Sequence, residues 1–298
     1  MTAYKGETKY AVALGFFDGL HKAHKSVLTQ ALEYRKEGLV PAVILFDRHP
    51  RNVLYGDDVP LLLQGEKRDE ILTSMGFKCL YVSFQDIMNM SPEEFVDEIL
   101  VNKFGARAVI SGYNYRFGKN GSGDSKILGE LCRKKGIRVT VCPEYKENGE
   151  RVSSTEIRRL IEKGEIEKAN SLLGFSFSFS SDVFSGDKRG RTLGTPTINQ
   201  YFPDGLIVPR FGVYAVKVYF DGKEYKGVAN IGCRPTFGKS TVRCETYIID
   251  FSGDLYGKTV EIAFCHFIRE EKRFSSADEL ISQITKDVAS AKAYFGSM

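Results

Sequence analysis

Short apolar runs alternate with amphipathic stretches over residues 10–142. Tyr10–Phe16 has the pattern of a buried strand, and Ser26–Lys36 follows with Val27, Leu28, Ala31 and Leu32 at helical spacing. Pro41–Phe46 predicts a second strand. Ser91-Pro92-Glu93-Glu94 supplies a helix N-cap, a proline at the first helical position and a glutamate at the third, ahead of Phe95, Ile99 and Leu100. Ala106–Ser111 predicts a strand, Lys126–Lys134 a helix and Ile137–Cys142 another strand. Strand–helix alternation of this kind implies an α/β unit with a mostly parallel sheet and helices on both faces. Ligands of such sheets lie beyond the carboxyl ends of the strands, so the loops after Phe16, Phe46 and Ser111 are the first places to search.

Thr155–Lys163 and Glu165–Leu173 read as two short helices split by Gly164. The texture then changes. Phe175–Phe179 alternates with period two, and strand patterns dominate to about residue 270. Val213–Phe220 and Glu224–Asn230 flank Asp221-Gly222, a strong hairpin turn. Glu245–Phe251 and Thr259–Phe267 are further strands. Ser276 and Glu279 form a capping box before a last helix with Leu280, Ile284, Val288, Ala291 and Phe295 on one stripe. The change of period divides the chain into residues 1–174 and 175–298.

Composition narrows the class. The 298 residues are 42% hydrophobic and 27% charged, as in ordinary globular domains. No apolar run approaches the ~20 residues of a membrane span, and the polar start does not resemble a signal peptide. A net charge of +4, spread without long basic blocks, argues against a nucleic-acid partner. Six cysteines include no CxxC pair or zinc spacing, which fits reduced thiols in a cytoplasmic protein.

The chemistry-bearing residues lie mostly in the predicted loops. Gly15-Phe16-Phe17-Asp18-Gly19-Leu20-His21-Lys22-Ala23-His24 joins the first strand to the first helix. Glycines at such a turn admit a ligand close to the backbone, and a helix start favours phosphate. His21 and His24, three apart, can face one ligand and stabilise charge on a phosphoryl group. Taken alone, an HxxH pair is more often two exposed histidines. Ser153, Ser154 and Thr155 open a helix with hydroxyls and backbone donors, and Arg158 follows one turn later; alone they read as an N-cap plus a surface arginine. Gly118–Ser125 resembles a Walker A loop only superficially, because Asp124 stands where its lysine belongs. Gly186–Asn199 is rich in glycine, cations and hydroxyls: a surface loop with a proline turn, or a phosphate wrap whose Thr and Asn oxygens suit Mg²⁺.

Together these segments resemble one family. The HxxH loop is similar to the HxGH signature of nucleotidyltransferases in the form found in bacterial FAD synthetases. Phe46-Asp47-Arg48-His49-Pro50, Ser111–Gly118 and Val152–Arg158 resemble its FDPHP, GxDFRFG and ISSTxIR segments, in order. Gly190–Asn199 resembles the GRxLGxPTxN signature of riboflavin kinases, and the segments at 212–214, 227–232, 234–237, 245–251, 255–258 and 267–271 fit the same family. Ala23, Asn114, Gly121 and Thr195 depart from the family's usual Gly, Asp, Arg and Phe.

The resemblance, over roughly residues 10–295, is to the bacterial bifunctional riboflavin kinase/FAD synthetases. It implies a Rossmann-like nucleotidyltransferase domain followed by a six-stranded antiparallel barrel with a terminal helix. It further implies ATP as co-substrate, Mg²⁺ as cofactor, and riboflavin, FMN and FAD as substrates and products. By matching position it makes Glu245 the general base of the kinase step, and His21, His24 and Arg158 the stabilisers of adenylyl transfer. Gly15, Phe16, Asp18, Gly19, Ser153, Ser154, Thr155, Gly190, Arg191 and Gly194 then fall on ATP and phosphate, Asn114 and Arg269 on flavin, and Thr197 and Asn199 on the metal. Two other readings keep the fold: a protein with only one active half, or a non-catalytic flavin-binding regulator.

Overall fold

The computed structural model describes residues 8–185, 196–236 and 239–296. By its contacts the chain divides into two compact units, Met1–Ser154 and Thr155–Met298.

The first unit is built on β1 (Tyr10–Leu14), β2 (Val40–Phe46), β3 (Lys78–Val82), β4 (Ala106–Gly112) and β5 (Arg138–Cys142), in the spatial order β3-β2-β1-β4-β5. Every pairing in this sheet is parallel, as the alternating pattern predicted. Residues 11–13 of β1 and 108–110 of β4 are fully buried; strands covered on both faces have no polar side to alternate with. The chain runs outward from β1 to β3, then returns to lay β4 on the other side of β1. That reversal makes the carboxyl ends of β1 and β4 the place where a ligand can enter between diverging loops.

Helices cover the sheet: α1 (Lys22–Glu33), α2 (Pro50–Tyr55), α3 (Gly65–Ser74), α4 (Phe84–Ile87), α5 (Pro92–Glu94, continued as a π-helix over Phe95–Lys103) and α6 (Ser125–Lys134). The capping box at α5 forms in both directions, with Glu94 N–H donating to Ser91 Oγ and Ser91 N–H to the Glu94 carboxylate. Phe95, Ile99, Leu100, Leu128 and Cys132 pack on Val12, Leu14, Ile44 and Val109. Helix α1 starts four residues earlier than its apolar stripe predicts, because the His21 side chain caps it; its end passes into a 3-10 turn over Tyr34–Glu37. Asp124 accepts from the N–H groups of Lys126 and Ile127 and thereby caps α6, so the Walker-like loop is a helix entry.

The second unit begins with α7 (Ser154–Lys163, whose first residue belongs to the first unit) and α8 (Ile166–Leu173). Both pack with the barrel: Arg210 N–H donates to Ile161 O, and Asn170 donates to Phe264 O while accepting from Phe177 N–H. Following the short hairpin strands β6 (Lys146–Glu147) and β7 (Glu150–Arg151) of the first unit, the barrel strands are β8 (Ser178–Phe184), β9 (Thr197–Tyr201), β10 (Gly212–Phe220), β11 (Lys223–Thr236), β12 (Lys239–Ile248) and β13 (Thr259–Arg269). They close in the order β10-β11-β12-β9-β8-β13, all antiparallel, giving the six-stranded barrel that the resemblance implied.

Phe177, Phe179, Tyr214 and Phe264 are buried in an aromatic cluster, with Phe179 and Phe202 centroids 4.4 Å apart. The terminal helix α9 (Ala277–Gly296) lays Ala291 and Phe295 over Val213, Ala215, Val228 and Ile249. Its cap differs in detail from the sequence expectation. Glu279 N–H donates to Ser276 Oγ as expected, but the Glu279 carboxylate accepts from Ser275 rather than from Ser276 N–H.

Candidate functional site

The loop after β1 is tightly constrained. Phe17 and Leu20 hold positive φ angles of 52° and 42°, unusual for bulky residues, and both are buried. A Cβ on Gly15 would lie 3.0 Å from the Phe17 ring, and one on Gly19 would lie 2.8 Å from Leu62 Cδ1. These glycines therefore serve internal packing in the first instance. Their absence of side chains lets the loop fold under the helix it introduces.

His21 is the N-cap of α1, and its Nδ1 accepts from His24 N–H at 3.2 Å. Its Nε2 lies 3.2 Å from Ser154 Oγ, and that hydroxyl donates to Asp18 Oδ1 at 2.8 Å. Asp18 and His21 are 1% and 3% exposed, so this chain of polar groups is internal. The His24 ring stacks on His21 with centroids 3.7 Å apart and meets the edge of Phe17 at 5.2 Å. The sequence pattern put both histidines at a helix entry; the structure also brings in Asp18 and Ser154, separated by 136 positions.

Around this centre, Lys22 pairs with Glu147 of the β6–β7 hairpin at 2.5 Å. Burial, with the nearby charge of Lys22, pushes the Lys25 amine below its usual range. Phe16 meets the edge of His49 at 4.4 Å, joining the loops after β1 and β2, and His49 caps α2. Asn114 is exposed in the loop after β4. Its neighbour Tyr113 donates to Glu144 at 2.8 Å; that bond, with Lys146 and Arg151 close by, holds the Glu144 carboxyl below the usual carboxylate range. Gly121, where the family often has arginine, has a φ of 63° that favours glycine. Ser153 and Ser154 close the first unit, whereas Thr155 and Arg158 lie on α7 in the second.

The barrel brings its predicted residues together by register. Glu245 on β12 lies directly opposite Asn199 on β9 and Asn230 on β11, and Tyr247 lies opposite Thr197. Cys244, Thr246 and Gln200 are buried in the barrel, so the alternate residues Thr197, Asn199 and Glu245 share its outer face. Glu245 does not open its strand, as the sequence suggested: it is the seventh residue of β12.

Phe184 and Tyr201 stack beside this row with centroids 4.0 Å apart, and the Arg243 guanidinium lies 5.5 and 5.4 Å from their centres. Sequence reading missed Phe184, Tyr201, Arg243 and Asn230 as neighbours of the row, since only the register reveals them. Arg269 is engaged elsewhere: its Nε and Nη2 donate to Asp287 at 2.7–3.1 Å, and Nη1 donates to Glu270 O. Gly190, Arg191, Gly194 and Thr195 lie outside the described residues.

Thr197 and Asn199 offer a hydroxyl and an amide oxygen, neutral hard donors that fit Mg²⁺ arriving with its phosphate ligands. Among the described residues, no cluster of three His, Cys, Asp or Glu side chains could hold a metal by itself.

The FAD synthetase family model matches residues 4–156, and the riboflavin kinase family model matches residues 173–295. The bifunctional riboflavin kinase/FMN adenylyltransferase of Listeria monocytogenes is 36% identical over 293 residues, covering 96% of this chain and 93% of that protein. Its Bacillus subtilis counterpart is 36% identical over 301 residues, covering 98% and 94%. A crystal structure from Streptococcus pneumoniae, described as a macrolide-efflux protein, aligns with a TM-score of 0.88 at 29% identity, covering 96% of this chain and 95% of that one. No helix among the described residues is long and apolar enough to cross a membrane.

Proposed function

The chain belongs to the bifunctional riboflavin kinase/FAD synthetase family, and from that membership we propose that it makes FAD from riboflavin in two ATP-dependent transfers. Residues 175–298 carry the kinase and residues 1–174 the FMN adenylyltransferase. The helices α7 and α8, which pack with the barrel, lie mostly between the two matches, α7 overlapping the end of the FAD synthetase match and α8 the first residue of the kinase match. The observation that carries the reading is the row on the outer face of the barrel, where a carboxylate stands directly opposite one of two neutral oxygen donors two residues apart.

In the kinase reaction, the ribityl 5′-hydroxyl attacks the γ-phosphorus of ATP, and Glu245 accepts the hydroxyl proton as ADP leaves. Asn199 and Thr197 would hold the Mg²⁺ that accompanies ATP, and the ion would supply charge neutralisation. Gly190, Arg191 and Gly194 cradle those phosphates, and Arg269 borders the flavin. In the second reaction, an FMN phosphate oxygen attacks the α-phosphorus of another ATP and pyrophosphate leaves.

His24 and Arg158 stabilise the charge that develops there, and the buried His21, which the resemblance placed with them, supports the ring of His24 by stacking. Gly15, Phe16, Ser153, Ser154 and Thr155 form the nucleotide-binding surface, which the buried Asp18 and Gly19 support from beneath, and Asn114 contacts the flavin. The small-molecule substrates, the near-neutral charge and the reduced cysteines suit a cytoplasmic enzyme without nucleic-acid or membrane partners.

Incubation with riboflavin and MgATP, followed by separation of flavins and of ADP from pyrophosphate, tests the reading. Both FMN and FAD are expected. FMN alone would leave only the kinase half active, and binding without turnover would indicate a flavin-responsive regulator.

A further inference from the structure

We propose that Asp18 is a positioning residue for adenylyl transfer: through Ser154 it holds His21 as the uncharged ring protonated at Nε2, and so leaves positive charge to His24. The assignment follows from counting protons. Nδ1 of His21 faces the backbone N–H of His24 at 3.2 Å and must present its lone pair. A neutral imidazole with a lone pair at Nδ1 carries its single proton on Nε2.

That Nε2–H then donates to Ser154 Oγ at 3.2 Å, and the one hydroxyl proton of Ser154 goes to Asp18 Oδ1 at 2.8 Å. Reversing the direction would leave the ring with no proton and the buried carboxylate without this donor. Charging His21 would set its Nδ1–H against the N–H of His24 and undo the cap of α1.

The stack with His24 divides the labour. Two imidazolium rings at a centroid separation of 3.7 Å repel, so at most one of the pair carries a charge. His21 is committed as a neutral cap by the His24 N–H and the Ser154 hydroxyl, with 3% of its surface exposed. His24 stands in the first turn of α1, where a bound phosphate would offset the helix's own bias against a cation. Asp18 touches neither reacting atom in this scheme. It sets the orientation of Ser154, and Ser154 sets the ring of His21.

The catalytic part of this inference rests on the proposed FMN adenylylation, whereas the tautomer does not. Long-range ¹H–¹⁵N correlation on the full chain labelled at histidine, with His21 assigned by His21→Asn, reads the tautomer directly. At about pH 7.5 the expected pattern is an unprotonated Nδ1 and a protonated Nε2; a protonated Nδ1 on His21 overturns the proposal. Asp18→Ala is expected to lower kcat for FMN conversion to FAD by about tenfold or more, with KM for MgATP changed by less than about threefold. Asp18→Asn, whose amide oxygen still accepts from Ser154, is expected to recover most of that loss. Equal loss in both variants would show that Asp18 acts by its charge and would overturn the positioning role. Failure of the unaltered chain to make any FAD would sink the adenylylation reading instead, with the NMR pattern still deciding the tautomer.

Discussion

Glu245 is half-buried on the outer face of a barrel strand, opposite Asn199 and Asn230. A carboxylate in that place can take a proton from an alcohol held by its neighbours, whereas its amide cannot. Glu245→Gln is therefore expected to lower FMN formation by about 10²- to 10⁴-fold while leaving conversion of supplied FMN to FAD unchanged. Flavin chromatography with each substrate in turn checks both halves of that statement. His24→Ala is expected to give the opposite result, with riboflavin phosphorylation intact and FAD formation lost by a comparable factor. Asn199→Ala keeps the base but removes a hard oxygen donor, so the kinase step should require a higher Mg²⁺ concentration for half-maximal rate. An unchanged magnesium titration would place the ion on other groups.

At the scale of elements, the terminal helix shows how charges fasten one piece of structure to another. Asp287 is 3% exposed on α9 and receives the Arg269 guanidinium of β13 through two nitrogens. Asp287→Ala is expected to lower unfolding stability by about 2 kcal/mol, less than for a fully buried pair because Arg269 keeps some solvent. Denaturant titration monitored by far-UV circular dichroism measures it.

At the start of the same helix, hydrogen bonds from the Ser275 backbone and hydroxyl, with Lys272 nearby, depress the Glu279 carboxyl to about 2. A depressed folded-state value means that the stabilisation is fully present above the ordinary value of 4.5 and is lost as pH falls through about 2. Fraying of α9 that sets in over that window, and that is present at every pH without this pH dependence in Glu279→Gln, is the expected outcome in pH-dependent amide exchange.

Elements also differ in how plainly the chain declares them. β1, β2 and β4 are buried on both faces and stand out as apolar runs, with Ala11, Val43 and Ile110 fully inside. β3 escapes such a reading because Lys78 and Tyr81 are exposed on a strand at the sheet edge. β9 (Thr-Ile-Asn-Gln-Tyr) escapes for a different reason. Its outer face carries the proposed metal donors, and its inner face buries Gln200, which donates to Ser181 O and Val260 O. The histidine loop was legible as a motif, whereas its partnership with Asp18 depends on a serine brought in from the start of α7.

For the whole molecule, the decisive property is that two transfers are assigned to separate sets of residues in one chain. The Asp18–His21–His24–Ser154 centre falls in Met1–Ser154, and the Thr197–Asn199–Glu245 row falls in Thr155–Met298. The two chemistries proposed share no residue, although Thr155 and Arg158 of the adenylylation set lie in Thr155–Met298, so a substitution in one set should leave the other complete. Linking two steps by a common intermediate then requires only that FMN leave one centre and reach the next.

Glu245→Gln protein alone should make no FAD from riboflavin, and His24→Ala protein alone should stop at FMN. Mixed in equal amounts with riboflavin and MgATP, the two variants should restore FAD, with a lag that shortens as the His24→Ala protein is increased. That lag is the time for FMN to accumulate in solution toward the KM of the second reaction. Restoration without a lag would require direct transfer between chains. No restoration, with each variant retaining its own remaining activity, would mean that FMN does not leave the protein that makes it.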